Sequence, residues 1–199
     1  MNAQAQQQRR GFLDRLIGLA VLAGGFAKFF AFFVSFAAYS FWFGSWQFGL
    51  GFVLLILVHE LGHFIEARRQ GVPVTLPTFV PFVGAFVTTR QSGLAPWRSA
   101  LISLAGPFLG GLGAAAVWAL GSARDTTWLV VLANIGFLLN AFNLLPIGFL
   151  DGGHIFRCFN YLRLGGAKNR ATIVGIAYVG LAFALVLGMI GSHVAQHRL

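Results

Sequence analysis

The sequence predicts an all-α polytopic membrane protein with about five transmembrane helices, six if an early segment also spans, and a short β-hairpin-like insert near the cytoplasmic face. Three observations carry this. Of 199 residues, 57% are hydrophobic and only 10% are charged, with a mean hydropathy of +0.77; soluble domains carry about 25% charged residues, so too few exist to cover a water-facing surface. Five runs approach the roughly 20 apolar residues a bilayer demands. Between the second and third lies "VPVTLPTFVPFVGAFVTTRQSG", where Pro73, Pro77, Pro81 and Gly84 bar any helix.

Taken in order, residues 1–26 form a cytoplasmic or interfacial lead-in. It opens on the polar "MNAQAQQQRR", and no small-residue cleavage pattern follows a short apolar run, so no cleavable signal is expected. Residues 11–25 are short and glycine-rich, and are expected to lie along the interface. A single domain then runs over 27–192, with spans at 27–45, 47–67, 99–121, 127–148 and 171–191, and 193–199 is a tail. The first span, "FAKFFAFFVSFAAYSFWF", reads as lipid-facing bulk with Tyr39, Trp42 and Trp46 near the outer interface.

Basic residues set the orientation. With the N-terminus inside, Arg9, Arg10, Arg15, Lys28, Arg68, Arg69, Arg90, Arg98, Arg157, Arg163, Lys168 and Arg170 all fall on the cytoplasmic side. That is twelve of the 14 Lys and Arg residues, leaving Arg124 and Arg198 outside. The net charge of +9 is thus explained by membrane orientation, and no nucleic-acid partner is expected. One cysteine, Cys158, excludes an internal disulfide.

The second span carries "HELGH" inside an apolar run. His59 and His63 stand one helical turn apart, roughly 6 Å of rise, so both imidazoles leave the same face and can grip one Zn²⁺. Glu60 is rotated about 100° from His59 and can reach the metal's water without ligating. Zinc lowers the pKa of such water to about 7, and Glu60 would carry the proton to the leaving amine. The metal also explains why these groups tolerate burial.

A catalytic zinc takes three protein ligands plus water, and the chain has only five acids. Asp14 and Asp125 lie at span edges or loops, and Glu66 reads as an ion-pair partner of Arg69. Asp151 alone lies at the depth of the histidines, among Pro146, Gly148, Gly152 and Gly153, which should unwind the end of the fourth helix. Asp151 is therefore the expected third ligand, with a helix cap as the alternative.

"HELGH" on a membrane helix, followed by "FNLLPIGFLDGGH", resembles the site-2 protease family of intramembrane zinc metalloproteases; "LAGP" (Leu104–Pro107) and "PFVGAF" (Pro81–Phe86) are similar too. The resemblance covers about residues 45–160. It implies one zinc per chain, held by His59, His63 and Asp151, with Glu60 as catalytic base and Asn143 near the active site. It also implies a transmembrane protein substrate cleaved in or near the bilayer, while the bias of basic residues puts the site toward the cytoplasmic side of what is expected to be a bacterial cell membrane. Neither a PDZ domain nor a CBS pair is expected, which leaves selection to a regulatory membrane partner. Asn143 has a physical role as well: its amide N–H₂ could stabilise the oxyanion formed on the peptide carbonyl.

Other features read as structural. Asn134 and Asn140 are expected to make interhelical hydrogen bonds, and Gly106, Gly110, Gly111 and Gly113 to permit close helix packing. Gly62 is expected to let another helix close to the metal. The pair His193 and His197 lacks an adjoining acid and reads as incidental, Cys158 as a small apolar filler, and His154 as a surface residue. "VGAFVTT" could offer an edge to which substrate adds as a strand, or could plug the cytoplasmic mouth; both stay open. A divalent-metal transporter and a catalytically silent membrane partner are the rival functions. Convergence of the acid and histidines at one depth, beside a base, weighs against transport, and the complete motif against silence.

Overall fold

The computed structural model describes residues 24–80, 84–86 and 93–196. Six helices and one small sheet follow in chain order: α1 (Gly24–Phe43), α2 (Trp46–Arg69), β1 (Thr78–Val80), β2 (Gly84–Phe86), α3 (Pro96–Ala123), α4 (Thr127–Asn143), α5 (Asp151–Leu164) and α6 (Lys168–Gln196). Of these, α1, α2, α3 and α6 are long and apolar enough to cross a membrane, and α4 is a shorter apolar helix of 17 residues. The protein is an integral membrane protein of the expected polytopic, all-α class. The segment 11–25, expected to lie along the interface, falls outside the described residues up to residue 23.

Local chemistry fixes the helix ends near the functional face. Pro96 opens α3, where its missing N–H costs nothing. Gly71 closes α2 with φ +72°, letting Val72 N–H donate to Ala67 O at 2.9 Å. That sharp exit sends the chain into the insert. There β1 and β2 pair antiparallel, Thr78 opposite Phe86 and Val80 opposite Gly84. The hairpin is tied to α1 by an edge-to-face contact of Phe32 with Phe79 at 5.3 Å and by Lys28 Nζ donating to Leu76 O at 2.8 Å.

The central element is α3, which packs against α2, α4, α5 and α6. Three apolar clusters form the core: Leu104, Phe137, Ile155, Leu162, Val174 and Leu185 among α3–α6; Tyr39, Val53, Ile56 and Phe79; and Ala67, Val72 and Ile102. Phe26, Phe29, Phe30, Phe33, Trp42 and Trp46 are exposed, as lipid-facing residues should be, whereas Tyr39 turns inward against Phe52 at 4.8 Å. Asn134 Nδ2 donates to Met189 O at 2.8 Å and to Ser192 Oγ at 3.1 Å, the expected bridge between helices.

Two boundaries differ from expectation. The fourth helix ends at Asn143, not near 148, because Pro146 cannot continue it. And residues 151–164, expected as loop, form α5: Asp151 opens this helix with Gly152 and Gly153 inside it. A methyl group at Gly152 would overlap the Leu144 carbonyl, and one at Gly153 the Ile147 carbonyl. The glycines serve close approach of helix to turn; the unwinding falls on 144–150.

Candidate metal centre

His59 and Glu60 are buried on α2, and His63 is half-buried one turn on. Their ligand atoms lie within 4.8 Å of one another. From α5, Asp151 Oδ2 comes to 3.2 Å from His59 Nε2 and 3.3 Å from His63 Nε2, while the two Nε2 atoms are 3.1 Å apart. The three atoms form a nearly equilateral triangle.

The remaining ring nitrogens determine what those atoms carry. His63 Nδ1 faces the Ile102 carbonyl at 2.8 Å, which can only accept, so Nδ1 holds the proton. His59 Nδ1 faces Asn140 Oδ1 at 2.8 Å. Asn140 Nδ2 donates to Gly136 O at 2.7 Å, which fixes that amide's oxygen toward the imidazole. With those protons on Nδ1, each imidazole can direct an Nε2 lone pair at the triangle's centre, where the carboxylate joins them. Two lone pairs 3.1 Å apart repel unless a cation lies between them. Tetrahedral zinc with bonds of about 2.0–2.1 Å requires ligand separations of roughly 3.3–3.4 Å, close to the edges observed. The donor set fits the metal.

Glycines on α3 make this fit possible. A methyl at Gly106 would overlap the His63 imidazole, and one at Gly110 would overlap the Asn140 amide. Gly62 on α2 lies against the Ala105 carbonyl, bringing α2 close to α3. The sequence reading took Gly106 and Gly110 as packing alone; they also hold the space that two site groups fill.

Asp151 is delivered by the turn Leu144–Leu150, which is itself braced. Arg157 Nη1 donates to Gly148 O at 2.8 Å, and the Tyr178 hydroxyl donates to Leu144 O. Arg157 Nη2 lies 3.3 Å from His154 Nδ1. A guanidinium only donates, so His154 Nε2–H donates to Ser99 Oγ, at 2.7 Å. His154 is half-buried with both nitrogens engaged, rather than a surface residue. Its pKa is pushed down from the ordinary value, first by burial and then by the Arg157 guanidinium. Burial pushes the Cys158 thiol up, in keeping with an apolar filler.

A cavity of ≈ 360 Å³ opens onto the triangle. Glu60 and Asn143 line it with His59, His63 and Asp151, as do Ala85 and Phe86 of β2. All five residues singled out from the sequence are thus brought to one cavity. Asn143 Nδ2 donates to Leu139 O at 3.1 Å. Asn140 makes the interhelical hydrogen bond expected of it, with His59 as the partner that sequence reasoning did not name, and among the described residues Ser99 was missed. Asn140 did carry a signal: one helical turn before Asn143, it shares that residue's face at the depth of the histidines.

The sequence profile of peptidase family M50 matches residues 47–127 and 122–187, enclosing His59, Glu60, His63, Asn143 and Asp151. The chain belongs to peptidase family M50. Among relatives of this M50 chain, a protein named as a zinc metalloprotease, Rip3 of Mycobacterium tuberculosis, is 32% identical over 158 residues, covering 73% of this chain and 39% of Rip3. A chloroplast protein named as a zinc metalloprotease, EGY1 of Arabidopsis thaliana, is 29% identical over 52% of this chain and 27% of its own. A third, sll0528 of Synechocystis, is 28% identical over 74% and 40%. The M50 chain spans about two fifths of the length of Rip3 and sll0528.

Proposed function

We propose that this chain is a zinc metalloendopeptidase that hydrolyses peptide bonds within or near transmembrane segments of membrane proteins. The observation that carries the reading is the triangle of His59 Nε2, His63 Nε2 and Asp151 Oδ2, with edges of 3.1–3.3 Å and Glu60 beside it. One zinc held there by His59, His63 and Asp151 would supply a Lewis acid that makes water nucleophilic near neutral pH.

The chain's own residues do the rest. Asn140 and the Ile102 carbonyl hold the two imidazoles in the tautomer that leaves Nε2 unprotonated. Glu60 accepts the proton of the attacking water and returns it to the departing amine nitrogen. Asn143 has two amide hydrogens; one is given to Leu139 O, and the other would donate to the scissile carbonyl as charge builds on its oxygen. Ala85 and Phe86 of β2 lie along the cavity, where an extended substrate segment would run with its carbonyls accessible, as no helical substrate could present them.

The basic residues support an orientation. Lys28, Arg68, Arg69, Arg98, Arg163, Lys168 and Arg170 lie in the end turns of their helices and Arg157 lines the cavity, which supports a cytoplasm-facing site with a cytoplasmic N-terminus in a bacterial membrane. A separate membrane protein would regulate access.

The test compares membrane proteomes of cells carrying the wild-type chain or Glu60→Gln. A membrane-protein fragment is expected with wild type alone, while the purified variant retains one zinc. Equal fragment patterns would overturn the reading, as would zinc flux into proteoliposomes undiminished by Glu60→Gln.

A further inference from the structure

On the flank of α5 away from the metal centre, an apolar groove of ≈ 200 Å³ runs between α5 and α6, lined by Ile155, Phe156, Phe159, Val174, Tyr178 and Val179 among others. Around the turn joining these helices stand Arg163, Lys168 and Arg170, all exposed. The Arg170 guanidinium lies 5.2 Å over the Trp97 ring. No Asp or Glu follows Asp151 anywhere in the chain, so these cations have no acid in their own segment to neutralise them. The same helix exposes Phe156, Tyr161 and Leu164. A short helix carrying both exposed apolar groups and cations suits the lipid headgroup boundary.

We propose that the α5–α6 hairpin is a binding site for one anionic phospholipid, with its phosphate at Arg163, Lys168 and Arg170 and an acyl chain in the groove. The dimensions agree. Val174 lies six residues beyond Lys168, about 9 Å along α6, so a headgroup at the turn brings its chain to the groove. Each cation near an anionic lipid surface contributes on the order of fivefold in affinity. A zwitterionic lipid offers the same chain without the net charge.

The groove is coupled to the metal centre at two points. Ile155, Phe156 and Phe159 belong to the helix that Asp151 opens. Tyr178, on the opposite wall, donates to Leu144 O, where the turn that delivers Asp151 begins. A chain filling the groove therefore steadies both ends of that turn. The consequence for turnover rests on the hydrolase reading above; the binding itself does not.

The experiment titrates the full-length protein, in nanodiscs and by native mass spectrometry, with dioleoylphosphatidylglycerol against dioleoylphosphatidylcholine. One phosphatidylglycerol is expected to bind at least tenfold more tightly than phosphatidylcholine. Arg163→Gln with Lys168→Gln should lower that affinity tenfold or more, and Val179→Trp, which fills the groove from its exposed rim, should lower it comparably. Arg124→Gln, at the opposite end of the bundle, should leave it unchanged, and zinc content reports that each variant is folded. Equal binding of the two lipids, or wild-type affinity in the double variant, would overturn the proposal. Glu60→Gln should bind phosphatidylglycerol like wild type, so a failed hydrolase reading leaves this result standing. Failure of the lipid site alone leaves zinc binding and cleavage intact in phosphatidylcholine.

Discussion

The two ends of the bundle hold their polar atoms by different rules. Toward the end where α1 passes into α2, the described residues include buried hydroxyls of Ser35 and Ser40, and along α3 the buried indole N–H of Trp118, that have no hydrogen-bond partner. That half fits mainly by volume, through groups such as Val53, Ala114 and Val130, with Asn134 bonded to Met189 and Ser192 as the exception. At the metal end, the buried polar groups of the centre are bonded across helices: His59 to Asn140, His63 to Ile102, Ser99 to His154. Volume-based packing tolerates small adjustments. A bonded centre does not, because one displaced partner leaves a lone pair or a proton misdirected in low dielectric.

The largest contrast comes from removing a donor. His59→Ala is expected to reduce zinc below a tenth of an equivalent and to abolish proteolysis, read by atomic absorption and fragment yield; stoichiometric zinc in this variant would break the comparison. Glu60→Gln sharpens it, since zinc should stay while the rate falls on the order of 10²–10⁴-fold.

Glycine substitutions probe the same contrast along one helix. Gly106→Ala places a methyl into the His63 ring, whereas at Gly113 the nearest atom is Val58 Cγ1 at 3.1 Å, the tip of a side chain that can shift. Zinc affinity should fall 100-fold or more in the first and stay within twofold in the second, measured by competition with a chelator. Equal effects would mean that backbone packing, and not the imidazole, sets the requirement.

Next in size is Asn140→Leu. It keeps the branched shape but leaves His59 Nδ1–H without its acceptor, and should weaken zinc by about 10–100-fold. Restoration by Asn140→Asp, which again offers an oxygen, would separate the hydrogen bond from simple packing. The smallest effect concerns His154. Its depressed pKa means that the unfolded chain binds the proton first, so its contribution to stability is present above the ordinary value near 6.5 and is lost as pH falls through and below it. Arg157→Gln, by removing the second cause of that depression, should move the imidazole titration seen by NMR upward, narrowing this pH window.

How much of this could be read from the sequence depended on the range of the signal. The spans were legible because hydropathy is summed over many residues, and the helical pair His59 and His63 because four-residue spacing fixes a shared face. The Glu66–Arg69 pair, at 2.7 and 2.9 Å, was legible for the same reason. Asp151 was reachable by elimination among five acids. The α5 helix was not, because Gly152 and Gly153 argue locally against helix, and only the Leu144 and Ile147 carbonyls packed against them explain their presence. Nor were the roles of Gly106 and Gly110, since an absent side chain says nothing of what fills its place. Asn140 named a hydrogen bond without naming the partner, 81 residues away.

The proposed function requires that α2 and α5 jointly hold one ion. Zinc K-edge X-ray absorption on the purified full-length protein tests it most directly. The account predicts one zinc with two imidazole nitrogens and oxygen ligands at about 2.0–2.1 Å. A spectrum without imidazole scattering, or with sulfur at about 2.3 Å, would contradict it.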